Sequence, residues 1–113
     1  MEVNSAELAQ TQLDAYNEQN LEEFLAVYSE DVEILEFPSN KVMYTGISKM
    51  RERYGKLFKD NPEQKAELLG RIAEGNIVID HERVTGRANG SVVHAVAIYE
   101  TKEGKISKVW FKK

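Results

Sequence analysis

Three short stretches of the sequence carry side chains that could move protons. Glu36 ends an apolar run, Asp80, His81 and Glu82 are consecutive, and His94 follows a turn. Carboxyl groups and imidazoles are common general acids and bases, and burial in apolar surroundings raises the pKa of a carboxyl group toward neutrality. If these groups face one cavity, they predict general acid–base chemistry.

Other kinds of chemistry lack the residues that they need. The sequence contains no cysteine, no glycine-rich phosphate loop and no Gly-x-Ser-x-Gly motif, which argues against covalent catalysis, phosphoryl transfer and thiolate metal sites. A metal site built from Glu36, His94 and either His81 or the two acids is conceivable from residue types alone. No compact ligand motif supports it, so we expect neither a metal nor an organic cofactor.

Length and composition indicate one soluble domain covering residues 1–113. With 113 residues, of which 42% are hydrophobic, the chain can build one core. The net charge of −4 comes from interspersed acids and bases without a basic stripe, so we expect no nucleic-acid partner. The N-terminus does not resemble a secretion signal, and no apolar stretch is long enough to span a membrane. A cytoplasmic location without membrane contact is the prediction, and the absence of cysteine is compatible with it.

The first half of the sequence predicts three helices and one strand. Capping residues and apolar residues at helical spacing predict a helix over residues 5–17. Asn20 caps a second, short helix that closes on Tyr28. Residues 32–37 alternate in side-chain direction and predict a strand that ends before a proline, and residues 47–58 predict the third helix.

The second half changes to the period of two that is typical of strands. Turn residues separate four long segments, which are Gln64–Glu74, Asn76–Gly86, Ser91–Thr101 and Lys105–Lys112. They predict antiparallel strands joined by hairpins. Helices followed by such a meander indicate an α+β fold, with the helices on one face of a strongly curved sheet.

The order and spacing of several motifs resemble the nuclear transport factor 2-like superfamily, in its SnoaL-like and ketosteroid isomerase-like branch. The resemblance covers nearly the whole chain and rests on Asn20-Leu21-Glu22, Asp31-Val32, Pro38, Thr45-Gly46-x-x-x-Met50-Arg51-x-x-Tyr54, Val84-Thr85-Gly86, Gly104-Lys105-Ile106 and Val109-Trp110-Phe111. It implies a cone-shaped α+β barrel, in which three N-terminal helices pack on a curved antiparallel sheet. The open end of such a cone forms an apolar pocket with a few polar groups.

The resemblance places Glu36 where the ketosteroid isomerases carry their general base. Strand alternation puts Glu36 on the face of Val32 and Ile34. His94 shares a face with Val96 and could join Glu36 as acid, base or ligand donor. The alternative is that Glu36 and His94 lie near strand ends and point to solvent.

Two positions depart from the isomerases, whose oxyanion hole consists of a tyrosine and a protonated carboxylic acid. The ungapped match gives Gln12 and Val96 at these positions, so we do not expect ketosteroid isomerisation, although Gln12 could donate one hydrogen bond to a carbonyl oxygen. Tyr28 and Tyr54 match tyrosines that support the donor in some isomerases. The alternative is that they are core tyrosines with satisfied hydroxyl groups.

The other predicted pocket residues lie near these positions or on the long strands. They are Tyr16, Asp80, Glu82, Val109 and Phe111. Alternation sends Asp80 and Glu82 to one face of their strand and His81 to the other, and the apolar neighbours do not decide between the faces. The resemblance favours the acids facing the pocket, but a slip of one residue would reverse the assignment.

Two functions remain compatible with a pocket for a small hydrophobic molecule. The first is cofactor-free proton transfer next to a carbonyl, of the isomerase, cyclase or dehydratase type, with Glu36 as base and Gln12 or His94 stabilising the charge. The second is a non-catalytic module that binds a ligand or a protein. Family members commonly dimerise through the outer face of the sheet, where alternation places Ile106 and Trp110, so we also expect a homodimer.

Overall fold

The structure is a computed structural model that describes residues 4–112. Its elements in chain order are α1 (Ser5–Glu18), α2 (Leu21–Ala26), β1 (Tyr28–Glu36), β2 (Val42–Thr45), α3 (Ile47–Asp60), β3 (Lys65–Glu74), β4 (Ile77–Thr85), β5 (Val93–Lys102) and β6 (Lys105–Lys112). The α+β prediction is confirmed, and so are three helices and four long strands after the last helix. Strand β2 was not predicted, because four residues are too few to show a clear period.

The first two helices begin at asparagine caps. The Asn4 side chain accepts a hydrogen bond from the Ala6 amide at 2.8 Å, so the cap lies one residue before the predicted one. Asn20 accepts one from the Glu23 amide at 3.2 Å, as predicted. Helix α2 ends at Ala26, which leaves Tyr28 in β1 and corrects the expected helix end. Within residues 4–112, no helix is long and apolar enough to cross a membrane.

The six strands form one mixed sheet in the order β2-β1-β6-β5-β4-β3. Four neighbouring pairs are antiparallel, but β1 and β6 run parallel, with Ile34 opposite Val109. The predicted all-antiparallel sheet is therefore wrong at this one pair. Most of the chain separates β1 from β6, and sequence patterns do not show which distant strands become neighbours.

The helices cover one face of the sheet, which we call the inner face. The phenyl ring of Phe24 lies at the centre of an aromatic cluster between the helices and this face. Its centroid is 4.6 Å from that of Tyr54, 5.1 Å from Tyr28, 6.0 Å from Phe58 and 6.1 Å from Tyr16. These separations are those of tilted and edge-on ring packing, which adds to the free energy gained by burying the rings. The cluster connects α1, α2 and α3 to β1.

A bulge in β6 changes the direction of one predicted outer residue. Thr101 pairs with Ile106, whereas Glu100 pairs with Lys108, so the register shifts at Ser107. Ile106 and Val109, three residues apart, are consequently both fully buried in the core. The prediction that Ile106 lies on the outer face is wrong, because a strict period of two takes no account of an inserted residue.

Candidate functional site

A cavity of about 170 Å³ lies between the inner face of the sheet and the helices. Its walls combine aromatic, aliphatic and polar side chains, which are Gln12, Leu13, Tyr16, Phe24, Tyr28, Tyr54, Leu57, Gln64, Ala66, Glu82, Val84, Arg87, Val93, Ala95, Tyr99 and Phe111. Its volume is slightly above that of an engineered cavity of ~150 Å³ that holds benzene, and below the roughly 300 to 1,000 Å³ of pockets for drug-sized ligands. It therefore suits a molecule of about one ring.

Small side chains on neighbouring strands create this space. Ala66 on β3 and Ala95 on β5 face inward on either side of Glu82 and its neighbour Val84 on β4. An alanine leaves unfilled the volume that a larger core residue would occupy. The carboxyl group of Glu82 therefore reaches open space instead of packed side chains.

Glu82 is a buried carboxyl group without a partner. The residue is 8% exposed, and no hydrogen bond or ion pair from another residue in the range 4–112 reaches its carboxyl group. Burial, followed by the negative charge of Asp80, raises the pKa of Glu82 to about 7, although Arg71 acts in the opposite direction. Such a group can both accept and donate a proton near neutral pH.

Asp80 lies two residues earlier on the same strand and is fully buried. Arg71 holds it with two hydrogen bonds, Nε to Oδ1 at 2.7 Å and Nη2 to Oδ2 at 2.9 Å, and also donates to Gln10. The resemblance placed both acids on the inner face, and the structure agrees. Asp80 nevertheless does not line the cavity, because its carboxylate turns to Arg71 on β3. The prediction that Asp80 lines the pocket is therefore wrong, and its negative charge acts on Glu82 instead.

A chain of hydrogen bonds crosses the cavity wall from Tyr28 through Gln12 to Tyr99. The Tyr28 hydroxyl donates to Gln12 Oε1 at 3.2 Å, and Gln12 Nε2 donates to the Tyr99 hydroxyl at 2.9 Å and to the Ala9 carbonyl at 3.0 Å. Both amide protons of Gln12 are thus in use. The prediction that Gln12 donates to a ligand carbonyl is not supported by this geometry.

Tyr99 is the end of this chain and the donor that the sequence analysis missed. Its hydroxyl accepts from Gln12, and its own proton has no acceptor among the residues that the structure describes. Burial raises the pKa of Tyr99 well above its ordinary value, so the hydroxyl stays protonated at neutral pH. The sequence held one indication of this role, because Tyr99 shares a strand face with the small residues Ala95 and Ala97.

Two more tyrosines line the same cavity. The hydroxyl of Tyr16 accepts a hydrogen bond from Gln64 Nε2, while the Gln64 Oε1 atom is buried without a partner in the described range. The Tyr54 hydroxyl has no hydrogen-bond partner within residues 4–112. Burial raises the pKa of Tyr54 far above its ordinary value. Tyr16, Tyr28, Tyr54 and Phe111 lie in the cavity wall as predicted, and their role toward a ligand stays a prediction. Val109 does not line the cavity, because it is fully buried in the core.

Glu36 lies outside the cavity, which removes the reason for a catalytic role. It is opposite Phe111 in the sheet, so the predicted strand face is right. The residue nevertheless lies at the exposed end of β1, where its carboxylate accepts a hydrogen bond from Ser39 at 2.9 Å. The alternative interpretation, a strand-end glutamate in solvent, therefore describes Glu36.

His94 and Val96 point to the outer face of the sheet, away from the cavity. Their neighbours Ala95 and Ala97 face inward and are buried. His94 is exposed, and its ring centroid lies 6.3 Å from that of His81. The predicted pairing of His94 with Glu36 is wrong. His94 and Val96 share a face as predicted, but a tertiary contact was needed to show which face is inside.

The remaining cavity residues had weak signals in the sequence. Leu13, Phe24 and Leu57 are ordinary apolar positions of helices, and Arg87 lies in a turn without periodicity. A side chain in such a segment is positioned by contacts that connect distant parts of the chain. Local patterns therefore could not identify it as part of the site.

Comparison with known proteins places this geometry in a family. The SnoaL-like domain model matches residues 9–109. An uncharacterised cystatin-fold protein from Novosphingobium aromaticivorans superposes with a TM-score of 0.88 at 24% identity, with 98% of this chain and 99% of that chain covered. An NTF2-like protein of unknown function from Cytophaga hutchinsonii has a TM-score of 0.80 at 17% identity, with coverages of 99% and 91%.

A provisionally named ketosteroid isomerase from Kribbella flavida has a TM-score of 0.78 at 20% identity, with 95% of this chain and 75% of that chain covered. No curated protein matches the sequence significantly. The structural likenesses are below 25% identity and show the fold, whereas the domain model spans most of the chain. This protein therefore belongs to the SnoaL-like domain family and has an NTF2-like fold.

Proposed function

We propose that the cavity binds a small, mainly apolar molecule and that Glu82 exchanges a proton with it next to a carbonyl group. The observation that carries this proposal is the buried carboxyl group of Glu82, which faces the cavity without an ion pair or hydrogen bond from residues 4–112. Burying an unpartnered carboxyl group costs free energy, and such groups are concentrated at functional sites. Glu82 replaces Glu36 as the candidate base.

The reaction would be an enolisation without a cofactor. The Glu82 carboxylate takes a proton from the carbon beside the carbonyl, the C–H electron pair forms the enolate, and the negative charge moves to the carbonyl oxygen. The Tyr99 hydroxyl, polarised through Gln12 and Tyr28, donates a hydrogen bond to that oxygen. Protonated Glu82 then returns the proton to the same or another carbon.

The size of the cavity restricts the substrate. A volume of about 170 Å³ accommodates one ring with a short substituent, whereas four fused steroid rings need more space. In addition, the sequence resemblance puts Gln12 at the position of the catalytic tyrosine of the ketosteroid isomerases. A small cyclic ketone or a similar enolisable molecule is therefore a better candidate than a ketosteroid.

A non-catalytic binding protein is the second candidate. One observation favours it. Both amide protons of Gln12 are already donated within the protein, so Gln12 cannot serve as an oxyanion donor. In that case the cavity would bind the same kind of molecule, and Glu82 would hold it by a hydrogen bond.

Exchange of hydrogen for deuterium in cyclohexanone separates these functions. In D₂O at pH 7, we expect wild-type protein to accelerate exchange at the carbons beside the carbonyl, as followed by proton NMR. Glu82→Gln should lose roughly 10²- to 10⁴-fold of this acceleration, whereas Glu36→Gln should retain it. Equal rates for wild type and Glu82→Gln would refute the catalytic proposal. Binding without acceleration would favour the second candidate.

We also propose that the outer face of the sheet pairs two copies of the chain. An apolar row crosses five strands of this face in register, made of Leu35, Trp110, Ile98, Ile79 and Ile72. Ile72 is 67% exposed. Leu35 is already buried in one chain, at 6% exposure, so the gain would come from the other four residues. A second copy would remove their exposed surface from water and gain the free energy of apolar burial.

A further inference from the structure

Arg87 lies at the cavity in a turn whose shape is set by its neighbour Gly86. Gly86 has φ +73°, and a Cβ atom there would lie 2.1 Å from the carbonyl oxygen of Glu63. The chain can approach this closely only because glycine has no side chain. The contact holds Arg87 beside the segment of Glu63 and Gln64, so both Arg87 and Gln64 line the cavity.

Arg87 differs from the other four arginines of the sequence, all of which have a partner. Those partners are Glu22 for Arg51, the ring of Tyr44 for Arg53, Asp80 for Arg71 and Glu67 for Arg83. The Arg87 guanidinium has no ion pair, side-chain hydrogen bond or ring contact with the described residues 4–112. Its Nε atom is buried and lacks a hydrogen-bond acceptor.

A buried N–H group without an acceptor costs about 1 to 3 kcal/mol, and more when it is charged. A guanidinium binds a carboxylate through two parallel hydrogen bonds, which match the spacing of the two oxygens. Glu82 does not provide this carboxylate, because it forms no ion pair with Arg87. The acceptor that fits Arg87 must therefore come from outside the described part of the chain.

We infer that the ligand of this cavity is a small carboxylate anion of about one ring, whose carboxylate binds Arg87 while its apolar body lies among the aromatic side chains. This inference rests on the proposed binding function of the cavity and adds the charge of the ligand.

Benzoate and benzamide form a matched pair of probes, because they have nearly the same shape and differ in charge. Both are titrated into ¹⁵N-labelled protein, and amide shifts of the cavity residues give the dissociation constants. For wild type, we expect benzoate to bind at least about 10-fold more tightly than benzamide. Arg87→Gln should remove that preference and leave benzamide binding unchanged. Arg87→Lys, which keeps the charge but not the planar donor pair, should retain part of it.

Arg83→Gln is the control, because Arg83 lies on the outer face and its loss changes the net charge by the same amount. It should preserve the preference for benzoate, and the amide spectra report whether each variant is folded. If benzamide binds and Arg87→Gln does not alter the preference, the carboxylate inference is wrong while the binding function stands. If neither probe binds, the proposed binding function fails together with the inference.

Discussion

Asp80 and Glu82 lie two residues apart on the same inner face of β4, and only Asp80 has a cationic partner. Arg71 donates two hydrogen bonds to Asp80, whereas the carboxyl group of Glu82 faces the cavity. Burial, followed by the negative charge of Asp80, raises the pKa of Glu82, while Arg71 acts in the opposite direction, so the Arg71–Asp80 pair and the proposed acid–base group form one electrostatic unit.

Glu82 should make the protein less stable as pH rises. Its pKa is 4.5 when unfolded and about 7 when folded, so the folded state binds the proton more tightly between these values. The stabilisation that comes from protonated Glu82 is fully present below pH 4.5. It is lost as pH rises to about 7, which lowers the free energy of unfolding by about 3 kcal/mol. Urea denaturation of wild type and Glu82→Gln at pH 5 and pH 8 measures this difference. Glu36→Gln, at an exposed site, should behave as wild type, and an unchanged pH dependence in Glu82→Gln would contradict the assignment.

Asp80→Asn should be strongly destabilising, because it leaves the Arg71 guanidinium without its charged partner. Breaking a buried ion pair in this way costs roughly 3 to 5 kcal/mol. Glu67→Gln breaks the exposed pair with Arg83 and should cost less than about 1 kcal/mol. Chemical denaturation at pH 7 compares the two variants. Similar small losses for both would show that the Arg71–Asp80 pair is not structurally important.

Tyr99→Phe and Tyr28→Phe should have similar effects on stability but different effects on function. Each removes one hydrogen bond to Gln12 and should cost about 1 to 2 kcal/mol. Of these two tyrosines, Tyr28 uses its hydroxyl proton on Gln12, whereas the proton of Tyr99 has no acceptor among residues 4–112. Tyr99→Phe should therefore slow cyclohexanone exchange more than Tyr28→Phe does. Equal rates in the two variants would argue against Tyr99 as the donor.

Gly86→Ala should destabilise the protein by more than about 3 kcal/mol, because the new Cβ overlaps the Glu63 carbonyl in addition to the strain of positive φ. Gly75→Ala provides the control. Gly75 also has positive φ, +58°, but its Cβ would meet nothing within 4 Å, so only the strain of about 1 kcal/mol remains. Thermal unfolding distinguishes them. Equal shifts would mean that the turn moves to relieve the overlap.

Ile98→Glu should convert the proposed dimer into a monomer, since it places a charge at the centre of the apolar row on the outer face. Size-exclusion chromatography with light scattering measures the mass against the 12.9 kDa of one chain. Leu69→Glu changes an exposed leucine of β3 outside the row and should leave the mass unchanged. A wild-type mass of one chain at micromolar concentration would refute the dimer.

The sequence predicted much of the fold because the fold depends on local patterns. Each pattern describes a short segment, such as an asparagine cap, the helical spacing around Phe24 or the alternation in β4 and β5. The order of these patterns along the chain identified the family. The parallel pairing of β1 with β6 and the bulge at Ser107 escaped this reasoning. Both depend on contacts between segments that are distant in the chain or on a single inserted residue.

The candidate site was predicted only in part, for a related reason. The resemblance correctly placed Asp80 and Glu82 on the inner face, and Gln12, Tyr16, Tyr28 and Tyr54 are in the cavity wall, as is Phe111. Glu36 was chosen for its strand face, yet a side chain on the correct face can still lie beyond the end of the cavity. His94 was placed on the wrong face, because alternation gives two sets of residues without saying which set meets the helices.

By itself, the sequence determined which segments are helices and which are strands, the family, and which carboxyl groups and tyrosines are present. All of these follow from residue identity and spacing. Only the tertiary structure decided which carboxyl group is buried without a partner. That property depends on Arg71 reaching Asp80 and not Glu82, and on alanines from two other strands that leave the space open. Electrostatic environment is a sum over neighbours in space, so it could be read only after the strands were assembled.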